Sequence, residues 1–225
     1  MPNNYITTNG GILVPDTPAD PFFLQTKMLF RADKGLIDLK GSGPFDTTTA
    51  PLTTNFQKFG TTSLEFDGTT AKQMASSTST GGQVTDTGWT MDAWIFLSSA
   101  TGDRAICANQ AGANANAFLF YVTSANKLAF FNNIARATSS AVVPQNQWVH
   151  VAITKDGVNN CILWINGAGE VLSGNFIGNY SAAVGLQIGA RLGGTVLFKG
   201  AIDSVRITQA LRWSANFTPT QFYDH

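Results

Sequence analysis

The chain has 225 residues, 44% of them hydrophobic and 11% aromatic, which suits one sizeable domain with a proper core and excludes wholesale disorder. Only 12% are charged, and 14 basic residues balance 14 acidic ones, so a basic nucleic-acid surface is excluded. Polarity comes instead from Thr, Ser and Asn, which suit solvated strand faces and turns better than helices.

The stretch MPNNYITTNGGILVP has no basic run leading into an apolar segment of signal-peptide length, so synthesis in a cytoplasm without export is the expectation. Residues 1–26 read as an extended arm, disordered or docked on a partner, because Pro2, Pro15, Pro18 and Pro21 with Asn9, Gly10 and Gly11 forbid a regular helix or a central strand. Residues 27–225 then run as short apolar or alternating segments separated by Gly, Asn, Ser and Thr clusters. That rhythm predicts an all-β, two-sheet antiparallel β-sandwich.

Between Trp89 and Leu97 every odd position is apolar, whereas Thr90, Asp92, Trp94 and Phe96 occupy the even side, so one face is core and the other is partly covered. The longest apolar run, residues 117–122, falls far short of the 18 or so residues of a membrane helix, and no membrane insertion is expected. Val149, Val151 and Ile153 share a face opposite His150 and Thr154. Lys155-Asp156-Gly157 reads as a turn, and Cys161-Ile162-Leu163-Trp164-Ile165 returns as the hairpin partner, ended by Asn166-Gly167. Farther on, Phe198 and Ile202 have even parity but Val205 and Ile207 odd, which predicts a bulge near Asp203 and Ser204. Residues 209–215 have room for one helical turn before Pro219. Cys107 and Cys161, inside strand-like runs, are read as buried free thiols rather than a disulfide, and two Cys with two His lack the paired spacings of a zinc site.

Several of these segments carry a resemblance. Ser63-Leu64-Glu65-Phe66-Asp67-Gly68, the Trp89 strand, Gln147-Trp148-Val149-His150-Val151-Ala152-Ile153-Thr154 and Leu163-Trp164-Ile165-Asn166-Gly167 resemble the concanavalin A-like, laminin G-like (LamG) jelly-roll family. Gly200-Ala201-Ile202-Asp203-Ser204-Val205-Arg206-Ile207-Thr208 and Arg212-Trp213-Ser214-Ala215-Asn216-Phe217-Thr218-Pro219 are similar to its branch in bacteriophage structural proteins. The resemblance implies a jelly roll that binds glycans or proteins through a sheet face or rim loops. Asn166 stands where the family often has Asp, and Thr69-Thr70 where it often has an aromatic, and both departures weaken an inherited ligand site.

Glucanases of the superfamily place carboxylates at alternate positions of one strand, the spacing of Glu65 and Asp67. Here Gly68 and Thr69 follow in place of a third acid, the chain has only two glutamates, Glu65 and Glu170, and Asp67 reads better as the brace of a turn. His150, the only internal histidine, lies between apolar strand positions, and neither a Gly-x-Ser-x-Gly elbow nor a phosphate-binding glycine loop is present. A non-enzymatic protein is therefore expected. Calcium is the one ion considered, with Asp67 and Asp203 as candidate ligands as the family implies; Asp203 has the alternative of pairing with Arg206 or accepting backbone N–H bonds. Glycan recognition falls to amide and guanidinium donors on loops: Asn114, Asn116, Asn132, Asn133, Arg136 and Arg191.

These readings converge on a phage virion structural protein, a surface decoration or assembly component attached through its arm and a sheet face. Other virion subunits and further copies of the chain are the expected partners. The alternative is a tail-associated adhesion module that binds host surface glycan.

Overall fold

Short runs of alternating side chains, punctuated by glycine and asparagine, assemble into two antiparallel sheets packed face to face in the computed structural model. The structure describes residues 5–7, 13–15, 20–40, 45, 47–48, 50–69, 74–75, 82–99, 101–109, 117–132, 136–158, 160–173, 176, 180, 185–191, 193 and 195–222. With strands numbered in chain order, the seven-stranded sheet runs β12 (Arg136–Val142), β11 (Lys127–Phe131), β10 (Leu119–Val122), β9 (Arg104–Ala108), β16 (Gln187–Ile188), β7 (Met74–Ala75) and β4 (Thr47–Thr48). The eight-stranded sheet runs β15 (Ala168–Ser173), β14 (Asn160–Ile165), β13 (Trp148–Lys155), β8 (Trp89–Leu97), β17 (Lys199–Thr208), β6 (Ser63–Asp67) and β5 (Leu52–Thr53). Its eighth member, β3 (Thr26–Arg31), pairs with the second half of β17, while β6 pairs with the first half. β1 (Tyr5–Thr7) and β2 (Leu13–Pro15) pair with each other as a separate two-stranded sheet.

The expected parities hold. Trp89, Met91, Ala93, Ile95 and Leu97 of β8 enter the core between the sheets, as do Val149, Val151 and Ile153 of β13. Lys155 pairs with Cys161 and Val151 with Ile165, which is the expected hairpin. Asn166 and Gly167, at φ 50° and 78°, end the returning strand as expected and form a two-residue turn that carries the chain into β15. The register of β17 against β8 shifts between Ile202 and Ser204. This bulge at Asp203 lets Ile202, Val205 and Ile207 all reach the core. Both cysteines are buried free thiols.

Two expectations are corrected or extended. Residues 209–215 form no helical turn, because their backbone groups are taken by the sheet: Gln209 N–H donates to the Gln25 carbonyl, the Thr90 hydroxyl to the Ala210 carbonyl and Arg212 N–H to Thr90 Oγ1. The folded domain also takes in residues 20–26, assigned from sequence to the arm. Asp20 is buried, and a 3₁₀ turn over Phe23–Gln25 leads directly into β3.

Candidate functional site

A sandwich has two outer faces, and the chain treats them differently. On the eight-stranded sheet Thr90, Asp92 and Trp94 of β8 and His150, Ala152 and Thr154 of β13, all even positions, are buried too, beneath a strap formed by residues 209–222, and only Phe96 and Trp148 at one end are half-buried. Asp92 of β8 receives two hydrogen bonds from Arg206 of β17, at 3.1 and 2.7 Å, and its Oδ2 lies 3.2 Å from His150 Nε2. Asp20 accepts both terminal nitrogens of Arg212, at 2.9 and 2.7 Å, and Arg206 at 3.3 Å. Burial alone would raise the Asp92 carboxyl, but the Arg206 charge and the bonds from His150 and Arg206 hold it well below the usual carboxylate range. Burial dominates at His150 and favours the neutral ring. An Asp–His pair with displaced pKa values has the form of a catalytic dyad. Here, however, the histidine is walled by Trp94, Trp213, Phe217 and Phe222 at 5.3–6.0 Å between ring centres, and it is 1% exposed. The network fastens both chain ends to the sheet and leaves no opening for a substrate.

The outer face of the seven-stranded sheet is built of smaller side chains, buried at Ala105, Ala108, Leu119, Tyr121, Ala129 and Gln187, with Arg136 exposed at its edge. Cross-strand pairing sets Gln187, Ala108, Leu119, Phe131 and Arg136 in one row from β16 to β12. The next row is Ala105, Tyr121, Ala129 and Thr138. Alanines give this face a low floor, and Phe131 and Val196 pack half-buried against it. The Arg136 guanidinium lies 5.7 Å from the Phe131 ring centre and 6.0 Å from that of Tyr121, within cation–π range. Ala129 allows this reach, because a larger side chain would fill the space between Tyr121 and Thr138. Two polar atoms of the face are buried without a hydrogen-bond partner: Tyr121 Oη and Gln187 Oε1. Their residues are 1% and 5% exposed. Such orphan groups are rare in native interiors and mark places where water or a ligand completes the bonding. Burial raises the Tyr121 pKa, so the phenol stays protonated and able to donate.

The residues singled out from sequence scatter. Asn114, Asn116 and Asn133 lie outside the described residues. Asn132 is buried and donates to the Tyr180 hydroxyl at 3.1 Å, a structural bond that removes it from the surface. Arg136 alone joins the aromatic face. Arg191 is half-buried and bridges to Thr195 in a hairpin just before Val196. Asp67 and Asp203, expected as joint calcium ligands, are not brought together. Asp67 pairs with Lys199, four residues from Asp203 on β17, a span of about 13 Å. The Asp67 carboxylate accepts the Thr69 amide and hydroxyl in a turn, and Asp203 accepts the amides of Lys58 and Phe59 and the Ser204 hydroxyl. Among the described residues no three His, Cys, Asp or Glu side chains converge. Glu65 and Glu170 stand on β6 and β15, five strand spacings or about 24 Å apart, against the 5 Å or so of a retaining pair.

Two openings lie among the described residues. A groove of about 410 Å³ lies where the edge strands β12 and β15 meet, over Leu163 and Ile165, and Glu170 ties the two edges by accepting the Ser140 amide and hydroxyl. A rim cleft of about 560 Å³ is bordered by Gly68, Asp103, Ser124 and Val196.

Two antiparallel sheets packed face to face define a jelly roll of the lectin type. The chain belongs to the concanavalin A-like lectin/glucanases superfamily: the family model Laminin_G_3 matches residues 67–215. No curated protein sequence matches it. Among solved structures, it is similar to domain 4 of AbnA, a GH43 extracellular arabinanase from Geobacillus stearothermophilus, in complex with arabinotriose. The identity is 17%, the TM-score 0.61, and the match covers 83% of this chain and 93% of that one. The binding domain of Paraclostridial Mosquitocidal Protein 1 is 14% identical at TM-score 0.65, over 84% of this chain and 50% of that one. The binding domain of botulinum neurotoxin serotype G is 12% identical at TM-score 0.61, over 83% and 48%. The chain thus spans about half the length of the toxin domains, and at these identities the likeness is one of fold.

Proposed function

We propose that the chain is a non-enzymatic binding module that holds a glycan on the outer face of its seven-stranded sheet. The observation that carries this reading is the pair of buried, unpartnered polar atoms, Tyr121 Oη and Gln187 Oε1, on an alanine-floored face edged by Phe131 and Arg136. Sugars present hydroxyls that both donate and accept, together with apolar C–H faces, so they suit orphan polar groups beside aromatic rings. The arabinotriose-bound domain, matched over nearly its whole length, supports a sugar as the ligand class. A binding role without turnover is supported by the separation of the two glutamates and by the sealing of Asp92 and His150. The test is a glycan array probed with the full chain and with Phe131→Ala. Wild type binds a discrete set of glycans and the variant, folded by circular dichroism, loses at least tenfold in affinity; unchanged binding by the variant sinks the assignment to this face.

A second reading, attachment to a phage particle through the arm, is favoured by one observation: β1 and β2 pair with neither sheet of the sandwich. On this reading the module decorates the virion, and the glycan face points outward. Chain lacking residues 1–19 should then keep its fold and fail to join particles; normal incorporation refutes it.

A further inference from the structure

Resting on the glycan reading above, we propose that the ligand of this face is an acidic glycan, one bearing a sugar carboxylate, and that Arg136 is the residue that receives it. The chain has six arginines, and three of them are paired with carboxylates inside the fold. Arg31 is paired with Asp33, Arg206 with Asp92 and Asp20, and Arg212 with Asp20. Arg104 is buried away from this face; its Nη2 donates to the Thr123 carbonyl and Asn126 Oδ1, while its Nε and Nη1 have no hydrogen-bond partner. Arg136 and Arg191 have no carboxylate partner among the described residues. A protein with so few charges pairs three guanidinium groups with carboxylates and leaves Arg136, at the edge of this face, without one.

Position and geometry fit a carboxylate. The row from Gln187 to Arg136 and the row from Ala105 to Thr138 contain no acidic residue, so an incoming anion meets no like charge on the face. Asp103, whose charge acts on Tyr121, stands at the rim, where it accepts the Ser124 amide. Arg136 is exposed, and its cation lies over two aromatic rings. Stacking of this kind holds the planar fork while leaving in-plane N–H groups free to grip a carboxylate with two parallel bonds. Arg191 stands five residues before Val196, which packs against the same face, in the hairpin closed by its backbone bridge to Thr195. Such a constellation selects against neutral sugars, because their binding leaves the guanidinium uncompensated, and against acidic peptides, which offer no hydroxyl-rich ring for Tyr121 Oη and Gln187 Oε1.

The full chain is titrated by calorimetry against trigalacturonate and sialyllactose, against the carboxyl-reduced form of each, and against polyglutamate. The expected result is binding of at least one acidic sugar, a loss of tenfold or more on carboxyl reduction, weakening with added salt, and a tenfold loss in Arg136→Gln with an unchanged melting temperature. Equal affinity for the acidic and the reduced sugar, or an Arg136→Gln variant that binds like wild type, overturns the acidic-ligand inference and leaves the glycan reading standing. Preference for polyglutamate over every sugar overturns it in favour of an acidic protein partner. Failure of all these sugars together with an empty glycan array overturns the glycan reading itself.

Discussion

Replacing Trp164 by Ala probes the packing that holds the strap to the eight-stranded sheet. The indole is fully enclosed: its Nε1 donates to Thr154 Oγ1 at 2.9 Å, the Phe217 ring centre lies 5.4 Å away, and Gly169 lacks a Cβ because one there would come within 2.4 Å of the ring. Truncating a buried Trp costs about 3–5 kcal/mol, a range that takes in the roughly 1 kcal/mol hydrogen bond lost by Thr154. For a chain of this length each kcal/mol moves the midpoint by about 2–4 °C, so a central value of about 4 kcal/mol predicts a drop of about 8–16 °C. Urea titration followed by circular dichroism should show the midpoint moving with an unchanged slope. Trp148, half-buried against Phe96, serves as the control and should cost less than half as much when truncated. A Trp164→Ala loss below about 1 kcal/mol would refute the enclosure and with it the sealed outer face.

Asp92→Asn strips the carboxylate from a buried Arg206 and should destabilise by about 3–5 kcal/mol in denaturant titration, more than any exposed acid-to-amide change. Because the folded state favours neutral His150, the unfolded chain takes up its proton first. Stability should therefore be full above the unfolded value of about 6.5 and fall below it by at most about 1.4 kcal/mol per pH unit, and His150→Gln should flatten that slope between pH 7 and 5.5. Removal of residues 1–19 should leave the melting temperature within a degree or two, whereas removal of 1–26 deletes Asp20 and should cost about 3 kcal/mol or more, since Arg212 loses its carboxylate. Gly200, at φ 135°, would place a Cβ 2.0 Å from the Phe96 carbonyl oxygen, so Gly200→Ala should lower expression and thermal midpoint sharply.

Strand parity made the sandwich readable, since residues two apart on Trp89–Leu97 or Trp148–Lys155 must share a face and only one assignment buries the apolar set. The bulge at Asp203 was readable for the same reason: a change of parity along β17 has no other remedy. What sequence could not supply was pairing across distance. Asp92 and Arg206 are 114 positions apart and Asp20 and Arg212 are 192 apart, so nothing local marks them as partners. One signal was present in Asp92 itself, a lone acid sharing its strand face with Trp94. The face proposed to take the ligand shows the same limit. Arg136 was singled out for its chemistry on a loop, yet its significance comes from Phe131 beside it and Tyr121 across the small Ala129, a register that only the sheet defines. Asn132 misled because polar residues at strand ends read as surface, whereas this one turns inward to Tyr180.

The most direct test of the account is to map where a bound glycan sits on the full chain by backbone amide chemical-shift changes, using the best ligand from the array. Shifts concentrated at Tyr121, Phe131, Arg136 and Gln187, with β8, β13 and the strap silent, are the predicted result. Shifts centred instead on the Glu170 groove, the rim cleft beside Asp103 or the strap around Trp213 would contradict it.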